Sequence, residues 1–307
     1  MKTIRVLFVG GGKRFSAAEK LIEAGRHLGL TVKIYAYEIE QELPIADIAT
    51  VIQGKRFSDK SVLSDLAEIV EKYSIDIALP YHDQAINLLA KLGDQVFVPT
   101  CAQALVEVFG SKIQSGQFFR SNALLTPARS IKVPVIAKPD FGSASKGLLR
   151  FFEQESLDDF LNDPISSNYE VQELWSGPEY SVDGYIALNS TFSHFTVRER
   201  LETLGGEVIR SRTVYRPEID AVCQKMVEIP GVRGAITIQL IVDNQSGRCG
   251  LMEVNARYGG GMLTSLGAGV PWFHILLRDY LKMPQEPVEH RIGVLMVRSF
   301  REHYFTI

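Results

Sequence analysis

The sequence predicts an α/β unit with a parallel sheet at the N-terminal end, followed by an α+β region built on antiparallel strands. Three observations carry that fold class. Residues 1 to about 105 alternate β-branched apolar runs with amphipathic helical segments, and such alternation builds parallel sheets through crossover helices. From about Ala102 the alternation stops, and strands follow one another across short turns. At 307 residues the chain is long for one core and suits two or three packed subdomains.

The elements follow in order. Residues 4–9 form a continuous apolar run and read as the first strand. Residues 16–28 place Ala17, Leu21, Ala24 and Leu28 on one helical face, and Gly29 ends the helix. Residues 31–37 and 48–52 read as strands, 61–73 as a helix with Leu63, Leu66, Ile69 and Val70 on one side. Residues 75–80 are a buried strand, 83–92 a helix, and 96–99 close the unit. Residues 102–120 look helical, and 133–138 form a strand broken by Pro139. A loop of small and hydroxylated residues, 142–147, leads to a strand at 148–152. A short helix at 156–162 has Ser156 as its expected N-cap. Strands at 169–174 and 180–187 flank the turn Trp175-Ser176-Gly177-Pro178, and Gly205-Gly206 joins antiparallel strands at 192–199 and 207–214. A helix at 217–227 precedes a hairpin, residues 267–281 become helical, and 293–300 read as a last strand.

Composition excludes several classes. Hydrophobic residues are 46% and charged residues 22% of the chain, ordinary for a globular protein. A net charge of −3 gives no general pull on nucleic acid or anionic membranes. No apolar run approaches the length of a membrane span, and the N-terminal run is too short for a signal peptide. Cys101, Cys223 and Cys249 are odd in number and widely spaced, which points to reduced thiols and a cytoplasmic location.

The hairpin is the most informative segment. In Leu251-Met252-Glu253-Val254-Asn255-Ala256-Arg257, period two puts Glu253, Asn255 and Arg257 on one face and Met252, Val254 and Ala256 on the other. A carboxylate with an amide oxygen suits Mg²⁺, and a guanidinium suits phosphate. A three-residue loop, Gln245-Ser246-Gly247, sets a register with Gln239 opposite Glu253; a one-residue slip would bring Ile238 there. The plain alternative is a hairpin with a solvated polar face.

Other motifs are weaker. Gly10-Gly11-Gly12 follows the first strand as in a dinucleotide site, and Tyr37-Glu38 ends the second where a ribose-binding acid could sit. Phe15 stands where the third glycine is needed, so a simple tight turn competes with that reading. Lys138 ends a buried-type strand and so points into a site, because an unpaired charge would not be left in an apolar core. Lys112 precedes it on a helix, where a surface position is as good a reading. The 142–147 loop can present backbone N–H groups to phosphate, but it lacks the Walker spacing.

Taken together, these motifs resemble the ATP-grasp superfamily, and within it the carbamoyl-phosphate-synthase-like (short, large-subunit-like) and carboxylate–amine-ligase branch. Ser111-Lys112, Ala137-Lys138-Pro139, the 142–147 loop, Val171-Gln172-Glu173-Leu174, Gly177-Pro178-Glu179-Tyr180-Ser181-Val182-Asp183, Gln239 and Glu253-Val254-Asn255-Ala256-Arg257 stand in the family's order. The resemblance implies a Rossmann-like pre-ATP-grasp domain over 1–105, a small ATP-grasp lobe with a phosphate lid over 106–172, and a large lobe with the Mg site over 173–307. It implies that Lys112 and Lys138 contact ATP phosphates, Ser143, Ala144 and Ser145 cover them, and Glu173 and Leu174 meet the adenine edge at the hinge. Glu179 accepts the ribose hydroxyls. Gln239, Glu253 and Asn255 hold one or two Mg²⁺ ions, with Mn²⁺ as a substitute, and Arg257 faces the γ-phosphate. Arg257 and Lys138 carry the catalytic roles. Gly259-Gly260-Gly261 lets backbone approach the substrate.

Gln239 stands where many members have glutamate, which leaves the second metal site one charge short. Lys146 is an added lid cation, either assisting phosphate or solvated. The expected chemistry is carboxylate activation as an acyl phosphate, followed by attack of an amine, with ADP and phosphate as products. The expected partners are a small carboxylate and an amine, with neither nucleic acid nor membrane, and a homodimer stays open. The second substrate has two sets of candidates: Arg198, Arg200, Arg210 and Arg212, or Tyr81, His82 and Asp83. His194, His274 and His303 show no metal spacing. A kinase releasing a phosphorylated product, a non-catalytic ATP-binding module and a dinucleotide oxidoreductase are the competing readings.

Overall fold

The computed structural model describes residues 1–142 and 146–306. Four parallel strands build the first sheet: β1 Lys2–Val9, β2 Leu30–Glu38, β3 Ala49–Gln53 and β4 Ile77–Pro80, in the order β3-β2-β1-β4. Period two divides β1 between two cores. Ile4, Val6 and Phe8 face Ala18 and Leu21 of α1 (Phe15–His27), while Leu7 and Val9 face Leu66 and Val70 of α2 (Val62–Lys72) and Leu89 of α3 (Asp83–Ala90). Each fully buried Leu or Ile contributes roughly 1.5–3 kcal/mol relative to exposure. Residues 96–99 add no strand; Phe97 makes one parallel bridge to Ile77.

The helix expected over 102–120 is two helices, α4 Gln103–Gly110 and α5 Lys112–Ser121. The break is at Ser111, whose extended backbone (φ −109°, ψ 125°) turns the chain while its hydroxyl accepts the Gln114 N–H. Val106, Phe109 and Phe119 of these helices enter the core of the large antiparallel sheet. Hence the leading part of the 106–172 segment packs on the large antiparallel sheet, although it precedes the small sheet in sequence.

That small sheet has the order β6-β5-β7, from β5 Val135–Pro139, β6 Leu149–Phe151 and β7 Tyr169–Glu173, with α6 (Gln154–Asn162) packed on it. Ser156 is not the N-cap of α6; the helix starts two residues earlier, after Glu153, which makes no side-chain cap. The large sheet has six antiparallel strands in the order β12-β11-β8-β9-β10-β13: β8 Glu179–Ile186, β9 Ser193–Leu204, β10 Glu207–Thr213, β11 Gly234–Val242, β12 Cys249–Asn255 and β13 Leu295–Val297. The helix α7 (Pro217–Glu228) buries Ile219, Cys223 and Met226 against it. Two more, α8 (Leu263–Gly267) and α9 (Trp272–Tyr280), complete the lobe. Trp272, Phe273 and Leu276 pack into the same core as β1 and α1, so α9 and the parallel sheet share buried contacts.

The β11–β12 hairpin pairs Gln239 with Glu253, as the sequence predicts, by a different route. Asp243 N–H bonds to Arg248 carbonyl at 2.9 Å, so the loop holds four residues, with Gly247 at φ +66°. A loop that long shifts register by one, and Leu240 indeed faces Leu251. An extra residue at Met252 restores Gln239 to Glu253. This bulge turns Met252 into the cleft beside Glu253, whereas strict alternation assigned it to the apolar face.

Candidate active site

Between the three-stranded sheet and strands β8, β11 and β12 lies a cavity of about 200 Å³. Lys112, Lys138, Glu173, Leu174, Glu179, Gln239 and Glu253 all line it. Lys112 is placed by the start of α5. There Asp140 Oδ1 accepts from the Ser111 hydroxyl at 2.6 Å and the Ile113 N–H at 2.9 Å, and Lys112 Nζ donates to the Gly142 carbonyl at 2.7 Å. Lys138 sits near the end of β5. Burial pushes its ammonium down to about 8; the charges of Glu253, Glu179 and Glu170 oppose the drop, and Lys112 adds to it. A half-buried cation among carboxylates with a second cation nearby is a receptor for anionic oxygen.

The metal candidates are adjacent but differently engaged. Asn255 Nδ2 donates to Glu253 Oε1 at 2.7 Å, which leaves the Asn255 carbonyl oxygen and the other Glu253 oxygen for a cation. Gln239 Oε1 accepts from Arg200 Nη1 at 2.8 Å, so its donor oxygen is shared with a guanidinium. Arg200 Nε also lies 3.7 Å from Glu179. Among the described residues no group of three or more His, Cys, Asp or Glu side chains is set to hold a metal; the candidate set is one carboxylate and two amides.

At the other end of the cavity, Leu174 N–H donates to the Pro134 carbonyl at 3.1 Å. Trp175, whose Nε1 donates to Glu173 at 3.0 Å, joins Ile136, Ile241 and Met252 as an apolar wall suited to a planar base. Lys146 lines the cleft as well. Ser143, Ala144 and Ser145, expected to cover the phosphates, lie outside the described residues.

Asn255 is not in this lining, and neither is Arg257. Its Nη2 and Nε bond to Asp83 Oδ1 at 2.6 and 2.9 Å, tying the segment after β12 to the start of α3. The four arginines suggested for a second substrate do not converge. Arg198 is buried against Asp183 at 3.0 Å, Arg200 enters the cleft, and Arg210 and Arg212 pair with Glu202 and Glu199 at the surface. Tyr81 and His82 line a separate cavity in the first domain. The glycine run 259–261 makes its close approaches to side chains: a Cβ on Gly261 would lie 2.3 Å from Arg198 Cζ. His194 is packed between Trp272 and His290, and burial holds its ring down to about 4.

Sequence reasoning left Arg200 among second-substrate candidates and gave Asp140, Trp175 and Met252 no role. Arg200 was findable, since β9 lies beside β8, which carries Glu179, and β11 with Gln239 is one strand further on. Asp140 acts through a helix start distant in sequence, and Met252 through a bulge.

The biotin carboxylase domain dimer of Hydrogenobacter thermophilus 2-oxoglutarate carboxylase, in complex with MgADP, ADP and bicarbonate, superimposes with a TM-score of 0.74 at 15% identity, over 95% of this chain and 73% of that one. N5-carboxyaminoimidazole synthetase from Staphylococcus aureus gives 0.73 at 14%, over 93% and 79%. L-amino acid ligase from Bacillus licheniformis gives 0.67 at 16%, over 92% and 74%. A family model described as ATP-grasp in the biosynthetic pathway with Ter operon matches residues 168–302. The chain has the ATP-grasp fold. No curated protein matches it by sequence. The cavity lies between the three-stranded sheet, which carries Lys138, and the six-stranded sheet, which carries Gln239 and Glu253, while Lys112 enters it from the start of α5.

Proposed function

We propose that this protein is an ATP-dependent ligase that activates a small carboxylate as an acyl phosphate for attack by an amine, forming ADP and phosphate. The observation that carries the reading is the single cleft in which Lys112, Lys138, Glu179 and Glu253 meet an apolar slot walled by Trp175 and Ile241. The slot takes the base, Glu179 accepts ribose hydroxyls, and the lysines hold the phosphates. Phosphoryl transfer needs positioning and charge neutralisation, and no protein nucleophile is required. Arg200 adds a further cation from β9, bonded to Gln239.

Glu253 and Asn255 present hard oxygen donors side by side and fit one Mg²⁺; the engagement of Gln239 by Arg200 argues for one ion rather than two. Bound there, the ion supplies further charge neutralisation of the triphosphate. The three buried free cysteines favour a reducing, cytoplasmic setting.

A coupled ADP-release assay over pairs of acids and amines, amino acids first, tests the reading. ADP release that needs both partners, with a coupled product, supports the ligase. A stable phosphorylated product formed without amine points to a kinase. ATP binding with no ADP release for any acid points to a binding module.

A further inference from the structure

Asp183, Asp279 and Glu170 are carboxylates at most 2% exposed. The first two are well bonded. Asp183 accepts from Arg198 at 3.0 and 3.1 Å and from the Ser265 hydroxyl at 2.8 Å, and Asp279 accepts from the Tyr185 hydroxyl and the Leu188 and Asn189 N–H groups. Glu170, on β7, is different. Neither of its oxygens has a hydrogen-bond partner among the described residues; Arg120 Nη2 stands 3.5 Å from one and Arg129 Nε 3.6 Å from the other. A buried carboxylate costs stability unless its lone pairs are filled. Fold stability alone would be better served by contacts as close as those of Asp183.

The place of Glu170 in the small sheet relates it to the nucleotide cleft. It stands directly opposite Lys138 in the β5–β7 ladder, so both side chains leave the sheet on one face. Ile136 and Gln172, the next pair on that face, line the cleft, whereas Val135, Ala137 and Val171 point the other way, into the core under α6. The Lys138 charge favours an ionised Glu170, and Glu170 in turn favours a charged Lys138.

Against the same face lies α5. Lys112, Gly116 and Arg120 are spaced by four and form one stripe of that helix. Lys112 enters the cleft and Arg120 reaches Glu170. Gly116 between them lets the strand come close, since a Cβ there would lie 3.0 Å from Glu170 Oε1. Phe119 of α5 is buried in the core of the six-stranded sheet. Glu170 thus joins a helix packed on the six-stranded sheet to the strands of the three-stranded one, and each side of that joint carries one cleft lysine.

We propose that Glu170 is a positioning residue for polyphosphate binding: through Arg120 it sets α5 against β5 and β7, and so fixes the separation at which Lys112 and Lys138 grip one polyphosphate together. The proposal rests on the ligase reading only so far as a nucleotide occupies the cleft. A double-mutant cycle in MgADP affinity, measured by calorimetry at pH 7, tests it. Glu170→Gln weakens MgADP about tenfold in the wild-type background. In Lys138→Met the shared grip is already lost, and the same substitution costs less than about twofold. Gly116→Ala keeps every charge and suits a helix interior, so the chain folds; it crowds Glu170 and weakens MgADP severalfold in the wild-type background but not in Lys138→Met. If Glu170→Gln does not fold, the Gly116→Ala cycle decides. Unchanged or tighter MgADP binding in folded Glu170→Gln overturns the role. So does an equal loss in the wild-type and Lys138→Met backgrounds, which marks a residue that only holds the fold. Wild-type protein that binds no MgADP overturns the nucleotide reading and this role with it. If MgADP binds with the expected cycle and no acid stimulates ADP release, Glu170 keeps its role and the ligase reading falls.

Discussion

If Lys138 holds the phosphates as proposed, nucleotide binding should be linked to proton uptake. Its ammonium is pushed from the ordinary 10.5 to about 8, chiefly by burial. A drop of that size corresponds to roughly 3 kcal/mol of penalty on the charged form. The sign follows from proton counts. Below pH 8 the lysine is charged in both folded and unfolded chains, and the penalty is carried in full. Between 8 and 10.5 the unfolded chain binds more protons, so stability rises with pH; this gain is complete above 10.5 and is lost as pH falls through 8. Lys138→Met removes the half-buried charge. It should raise the unfolding free energy at pH 7 by up to about 3 kcal/mol and flatten the pH dependence between 8 and 10 in denaturant titrations. A bound polyphosphate reverses the balance by placing negative charge beside the ammonium. With its apo value near 8, Lys138 is about nine-tenths protonated at pH 7 and about one-tenth at pH 9. MgADP binding at pH 9 should therefore take up close to one proton, read by calorimetry in buffers of different ionisation enthalpy, and Lys138→Met should abolish the uptake. Equal proton uptake in wild type and Lys138→Met would refute the reasoning, as would identical pH slopes of stability.

Three substitutions probe other parts of the site. Glu253→Gln keeps size and fold but removes the only carboxylate of the metal candidates; turnover should fall at least about a hundredfold with circular dichroism unchanged, and near-normal turnover would sink the metal assignment. Asp140→Ala removes the acceptor of the Ser111 hydroxyl and the Ile113 N–H, so it should cost about 1 kcal/mol of stability and raise the ATP KM severalfold by loosening Lys112. An unchanged KM would separate the helix cap from the site. Gly261→Ala drives a methyl to 2.3 Å from Arg198 Cζ and disrupts its buried pair with Asp183. A loss of about 3 kcal/mol in urea unfolding is expected, and a loss under about 0.5 kcal/mol would show that the pair can move.

Much of the fold was legible because its signals are local. The apolar run of β1 and the helical period of α1 announce a parallel unit, and a Gly-containing turn announces the β11–β12 hairpin. Lys112, Lys138, Glu173, Glu179, Gln239 and Glu253 stand in family order and meet in one cleft. What the sequence hid is set by contacts distant along the chain or by local irregularity. The Gln239–Glu253 register needs a Met252 bulge to offset a longer loop, and no propensity announces it. Ser111 breaks a helical pattern because Asp140, 29 residues on, shares its cap. The Arg257–Asp83 contact spans 174 residues, so period alone could not give that guanidinium a partner.

Oxygen transfer tests the central claim most directly. With a turnover-supporting acid labelled with ¹⁸O in its carboxylate, the account predicts one labelled oxygen in each inorganic phosphate released with ADP, and none from Glu253→Gln. Phosphate released without label, its new oxygen coming from water, would contradict carboxylate activation in this cleft.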